Sequence, residues 1–389
     1  MISIGNFYYY QPEIVPEKGM AKNNRVLQSK KTSILLFLII ILFVAFVEGS
    51  CKYRKYTYSN YQRLKSPDKV IKLKSSEVNK FELFFPTAFA VIDNYLILVD
   101  KKGDKLINII DLNSDELKIC FGGRGQGPDE FVSISQIIPD PNLKDRFWIY
   151  DISTLKLKCF NISNVLDHNF YPEKMIDISS RKGFLTQLIL FPDQRMVGTG
   201  LLLEGRVAFL NPSGDIVRVI GKIPVIFKNE RFAPHHSHGF LGNIAYKERT
   251  QEIYLATRYG SIIEKYNMDG NMVSTLIGPD LFFPDYDIVP AGEGYTMAYN
   301  KNTRDGYLDI KYNRKMDELF LLYSGKKKFS KDGKLEGGGR IIYVLDNKDK
   351  FVEQIELDKD IYQIWISDDC SIILGLSDKR VLKYDYIHR

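Results

Sequence analysis

Six short apolar segments recur along the chain, each followed about one hairpin later by a second, and this double periodicity restricts the fold more than any other feature. The first set reads YLILVD from Tyr95, RFWIYD from Arg146, RMVGTG from Arg195, EIYLAT from Glu252, ELFLLY from Glu318 and SIILGL from Ser371. The second reads LINIIDL from Leu106, LKCFNI from Leu157, RVAFLNP from Arg206, IIEKYNM from Ile262, RIIYVLD from Arg340 and RVLKYDY from Arg380. Repetition at roughly 50 residues is the mark of a propeller, because one four-stranded sheet cannot bury both faces and needs neighbouring copies on either side. The expected fold is therefore all-β, a six-bladed β-propeller with four antiparallel strands per blade.

Each pair needs an inner strand before it and an outer strand after it. Inner candidates are TAFAVI (from Thr87), SISQIIP (Ser133), LTQLILF (Leu185), GNIAYK (Gly242), YDIVPA (Tyr286) and IYQIWIS (Ile361). Outer candidates are ELKICFG (Glu116), KMIDIS (Lys174), DIVRVIG (Asp215), MVSTLIG (Met272) and FVEQIEL (Phe351). Asn, Asp and Gly cluster between third and fourth strands, at Asn113-Ser114-Asp115, Pro212-Ser213-Gly214, Asp269-Gly270-Asn271 and Asn347-Lys348-Asp349, where tight hairpins require positive φ. The last blade lacks an outer strand. KVIKLKS (69–75) is the candidate to supply it, so that an N-terminal strand completes the last blade and closes the ring, removing open sheet edges.

Upstream of the repeats, Ile34 to Val47 form an apolar run preceded by Lys30 and Lys31 and followed by Gly49, Ser50 and Cys51. Its length suits an export signal better than a bilayer span. Cys51 after two small residues resembles a bacterial lipidation site, with Glu48 standing where such signals carry an apolar residue. The expected domains are an upstream extension and lipoprotein-type signal over 1–50, a tether over 51–67 and the propeller over 68–389. Cys120, Cys159 and Cys370 fall inside predicted strands and read as buried free thiols, a disulfide between the first two being the alternative.

The formal net charge is +6; without the five bases and three acids of residues 1–50, 49 bases face 45 acids. That mild balance, without a basic stripe, argues against nucleic acid as a partner. In a propeller, the loops joining second to third strands, and fourth strands to the next blade, gather at one end of the central channel. Here they carry Arg124, Arg181, Arg206, Arg231, Arg258, the run Lys326 to Lys328, Lys379 and Arg380, a set that would focus a positive field on an anionic ligand. Solvated, locally paired charges are the competing reading. The loop after the third blade holds His235, His236 and His238. Imidazoles on one loop can bind zinc or copper, but spacing identifies no further ligand, so the expectation is a polar loop with no metal and no cofactor.

The most distinctive local motif is FGGRGQGPDEF (Phe121 to Phe131), whose glycines and Pro128 imply a sharply turning backbone. A phosphate loop should run from strand into helix, whereas strands are expected on both sides here. It reads as the linker between the first two blades, with Arg124 projecting toward the channel and Phe131 packed beneath.

This motif, the lipoprotein-like N-terminus and the ring of β-pairs together resemble the TolB-like six-bladed propeller lipoproteins of Bacteroidetes and, more distantly, the NHL-repeat propellers. The resemblance covers about residues 68–389 and rests most on Gly123 to Phe131. It implies an outer-membrane lipoprotein of the cell envelope. Lys52, Arg54 and Lys55, where surface-exported relatives carry acids, imply the periplasmic side. The expected function is a monomeric, membrane-anchored, non-catalytic binding or scaffold module that meets an envelope glycan, peptide or protein at the channel mouth. The competing function is a propeller lyase or hydrolase acting on an acidic carbohydrate or lactone, with Tyr259 or one of His235, His236 and His238 as base and Arg258 and Arg124 neutralising charge.

Overall fold

The computed structural model describes residues 60–387 except 79–80, 82, 227–229 and 293, with the backbone alone at 55–56, 225–226 and 230–234. The export segment, Cys51 and the tether residues 52–54 and 57–59 lie outside the described residues. Blade 1 is built from Pro86–Ile92, Tyr95–Asp100, Ile107–Asp111 and Glu116–Phe121, and blade 2 from Ile134–Pro139, Arg146–Asp151, Lys156–Asn161 and Lys174–Asp177. Blade 3 follows with Gly183–Leu190, Met196–Leu202, Val207–Leu210 and Ile216–Ile220, then blade 4 with Gly242–Lys247, Glu252–Thr257, Ile262–Asn267 and Met272–Ile277. Blade 5 contains Tyr307–Asn313, Glu318–Tyr323, Gly339–Leu345 and Phe351–Ile361, and blade 6 Gln363–Ile366, Ile372–Leu376 and Val381–Asp385. The third-to-fourth hairpins turn where expected: Asp115, Gly214, Gly270 and Asp349 each adopt positive φ.

Two assignments differ from expectation. The inner strand of blade 5 is Tyr307–Asn313; YDIVPA instead forms a separate hairpin, Asp287–Ala291 with Gly294–Ala298. Pro290 removes a ladder donor from that segment, whereas Asp309 and Lys311 of Tyr307–Asn313 face the channel. The ring is closed from the N-terminus, but by Ser76–Glu77, antiparallel to Val381–Asp385. Val70–Leu73 runs one blade earlier, parallel to Phe351–Ile361, and Gln62–Arg63 runs parallel to Met272–Ile277. The strap thus adds an outer strand to three consecutive blades. Ion pairs of Lys69 with Glu353 and of Lys72 with Glu356 at 3.4 Å fix its register on blade 5.

The core lies between the blades. Every joint between neighbouring sheets holds its own apolar cluster, for example Ala88, Ile134 and Phe160 between blades 1 and 2, and Leu308, Ile355 and Ile373 between blades 5 and 6. Each such cluster needs side chains from two blades, so burial itself drives the ring to close.

A second device laces the inner strands together. Gln136 of blade 2 donates to Leu188 O at 3.0 Å and accepts from Leu188 N at 2.8 Å. Gln187 of blade 3 accepts from Ile244 N at 3.0 Å, and Asn243 of blade 4 donates to Leu308 O at 2.8 Å. Asp309 of blade 5 accepts from Ile364 N at 2.9 Å, and Gln363 of blade 6 both donates to Phe89 O and accepts from Phe89 N at 3.1 Å. These side chains stand in for the missing neighbouring strand and satisfy backbone groups that face the channel. At the remaining joint the matching residue is Ala88, and blades 1 and 2 meet there through apolar contact among Ala88, Ile134 and Ile137.

Candidate functional site

All six inner strands line a central cavity of about 470 Å³. Its walls carry Gln136, Gln187, Asn243, Asp309 and Gln363, already committed to blade joints, and Lys311, whose ammonium lies 2.9 Å from Asp309. The lining that belongs to loops at the predicted ligand end includes Leu241, Arg258 and Tyr362. Arg258 is positioned by a tight crossing of two blades. Its carbonyl accepts from Gly306 N at 2.6 Å, and a Cβ at Gly306 would sit 2.0 Å from Gly260 O, so only glycine fits there.

Arg258 opens a cluster drawn from blades 4 and 5. The Tyr259 and Tyr299 hydroxyls are 2.8 Å apart, and Lys328 Nζ lies over both rings, 5.7 and 5.2 Å from their centroids. The same ammonium donates to Asp305 at 2.8 Å, with both side chains buried. Backbone pairing holds this arrangement, Lys328 N bonding to Thr303 O and Asp305 N to Lys326 O. Burial pulls the Lys328 pKa down against the opposing charge of Asp305, while burial and the neighbouring Tyr259 push the Tyr299 phenol up. Tyr299 therefore stays protonated at neutral pH. Burial first, and then the charges of Asp378 and Asp360, likewise raise Tyr362.

The other cations read from the sequence are dispersed. Arg206 is not at the mouth: it is buried, paired with Glu264 at 2.8 Å and bonded to Phe240 O and to Thr257 Oγ1. A guanidinium just before the third strand of blade 3 points into the joint with blade 4, where desolvation demands these partners. Arg124 does not project into the cavity either; it clasps Lys101 O at 2.7 Å and Gly103 O at 3.1 Å in the neighbouring loop. Arg380 holds Phe81 O at 2.8 Å and Glu77 at 3.3 Å, next to the closing strand. Arg181 is exposed on the link between blades 2 and 3, and the backbone carbonyl of Lys379 accepts from Leu83 N. The Arg231 side chain lies outside the described residues.

The histidine segment, Glu230–Phe240, forms 3-10 turns. His236 Nδ1 is 2.7 Å from the buried Tyr286 hydroxyl, and the His235 ring lies 5.9 Å from Tyr295. Burial, then the charge of His235, lowers the His238 pKa. Among the described residues no group of three or more His, Cys, Asp or Glu side chains is placed to hold a metal ion. Cys120, Cys159 and Cys370 are free thiols.

The glycine-rich motif is the linker between blades 1 and 2. Gly122 has φ +81°, and an added Cβ would press at 3.2 Å on the Phe131 ring, itself fully buried against Phe160. Buried Lys158 donates to Gly127 O at 2.8 Å and Glu130 O at 2.6 Å, and Asp151 accepts from Val132 N at 2.7 Å and Ser133 N at 3.1 Å. Its residues are thus used to hold the loop.

Sequence reasoning missed Tyr299, Asp305 and Tyr362. Tyr299 and Asp305 lie in the long connection to blade 5, where no periodicity marks them, and Tyr362 sits at the edge of an expected strand.

The family model described as TolB-like 6-blade propeller-like matches residues 65–369. Among solved structures, the crystal structure of a DUF4221 family member from Bacteroides vulgatus aligns at 9% identity with a TM-score of 0.49, covering 80% of this chain and 98% of that one. A search of curated proteins finds no match. With six four-stranded blades closed from the N-terminus and a family match over most of its length, the chain belongs to the TolB-like six-bladed propeller family.

Proposed function

We propose that this protein is a non-catalytic binding module whose central channel receives an anionic segment of a glycan, peptide or protein. The observation that carries this reading is the pairing of a cation with an aromatic ring in the cavity lining: Arg258 and Tyr362 both line the cavity at its loop end, above inner-strand side chains that hold the blade joints. Such a site recognises charge and a flat apolar face. Among the described residues that line the cavity, no nucleophile is paired with a base as acyl or glycosyl transfer would need.

The test is a panel of acidic and neutral oligosaccharides and peptides titrated at two salt concentrations. The proposal requires acidic members to bind, more weakly at high salt, with loss on Arg258→Ala and Tyr362→Ala. Release of an unsaturated or hydrolysed product from an acidic oligosaccharide or lactone, abolished in Tyr259→Phe, would establish the enzyme instead. We further propose that Cys51 is lipidated and holds a monomeric ring at the periplasmic face of the outer membrane. Mass spectrometry of the mature N-terminus would show a diacylated Cys51; an unmodified N-terminus elsewhere would refute the anchor.

A further inference from the structure

We infer that a second interaction surface lies on the channel-mouth end of blade 1, built to dock an acidic protein segment carrying an exposed apolar side chain. This surface does not involve Arg258 and does not rest on the channel reading. Its centre is Phe84 and Phe85, adjacent in sequence and 71% and 49% exposed. Two neighbouring phenylalanines so open to water are unusual on a soluble ring and mark a contact site.

The rings are presented on a fixed backbone. The buried carboxylate of Asp100 accepts from Phe84 N at 2.9 Å, Phe85 N at 2.8 Å and Lys102 N at 3.2 Å. Lys101 N donates to Phe85 O at 2.9 Å, and Arg124 closes the arrangement by clasping Lys101 O and Gly103 O. Three loops are thereby sewn together with both rings outward, so little ordering cost remains for binding.

Charge names the partner. Lys101, Lys102 and Lys105 are exposed on the loop beside the rings, and Asp104 is the one acid among the described residues of that loop. Lys102 Nζ lies 5.4 Å from the Phe85 centroid, so cation and ring meet a partner at the same depth. A bilayer would draw the rings below the headgroups and leave the ammonium above. A peptide with carboxylates flanking a Phe or Leu meets both at one level.

The test uses fluorescence anisotropy of a labelled synthetic peptide in which Phe and Leu are flanked by Asp and Glu, with Asn/Gln and Lys counterparts as controls. The purified full-length protein should bind the acidic peptide alone, and more weakly as salt rises. Phe84→Ser/Phe85→Ser and Lys101→Glu/Lys102→Glu should each weaken binding by about tenfold or more. All four side chains are exposed, so both variants should melt with the wild type. Arg258→Ala should leave this binding intact, which separates a failure here from a failure at the channel. Equal binding of the Asn/Gln peptide, retention of affinity in both double variants, or binding to anionic phospholipid vesicles through the same residues in place of the peptide would each overturn the inference.

Discussion

Replacing Arg206 by alanine removes one half of an ion pair whose side chains are 3% and 0% exposed. Glu264 then remains as an anion inside the joint between blades 3 and 4, and the lost contacts include Phe240 O and Thr257 Oγ1. Breaking a buried pair from one side costs about 3–5 kcal/mol. A ring of this length melts with an entropy near 0.7 kcal/mol per degree, so the melting temperature should fall by about 4–7 °C. Scanning calorimetry on wild type, Arg206→Ala and the double variant Arg206→Met/Glu264→Met checks the reasoning. The double variant should recover most of the loss, because two apolar side chains of similar volume need no compensating charge. Ligand affinity per folded molecule should be unchanged in all three, since Arg206 cannot reach the cavity. A drop below about 1 °C, or a large loss of affinity without a loss of stability, would refute the placement of Arg206 as a joint residue.

The lacing of inner strands predicts that Gln363→Ala, which strips both partners from Phe89, lowers stability by about 1–2 kcal/mol in urea titration; an unchanged midpoint would mean the bonds hold nothing. Burial pushes the Cys159 and Cys370 thiols up to about 12, so neither should react with a thiol reagent at neutral pH until the ring is unfolded, which mass spectrometry of labelled peptides resolves. Partial burial would raise Asp360, but bonds from Arg340 and Lys326 outweigh it and hold the carboxyl below its ordinary 3.8. A depressed folded pKa gives stability that is complete above 3.8 and lost as pH falls through the folded value, so wild type should exceed Asp360→Asn in stability at neutral pH and the two should converge in acid.

Strand order was largely readable because the two apolar segments of each blade are buried on both faces and repeat without interruption. The reading failed where a strand is polar for a local reason. Tyr307–Asn313 carries Asp309 and Lys311, which answer to the channel and a neighbouring blade rather than to solvent, so it lacks the apolar pattern by which the other inner strands are recognised. The closing strand is only two residues long, and nothing in Ser76–Glu77 distinguishes it from the stronger β pattern at Val70–Leu73. Site residues were harder to read, because a cation's position in a loop does not say which way it points. Arg258 reached the cavity, Arg206 entered a joint, and Arg124 turned back on its neighbouring loop; each outcome depends on partners roughly 20 to 60 residues away. Lys158, within the segment LKCFNI, is a buried bracket for the glycine-rich linker, a role its place in a strand does not signal.

The central claim is that the channel mouth binds anions through Arg258. Isothermal titration of oligogalacturonate into wild type and Arg258→Ala, at roughly 50 and 300 mM salt, tests it most directly. Salt-sensitive binding to wild type that falls about tenfold or more in the variant is the predicted result; binding that ignores both salt and the substitution would contradict it.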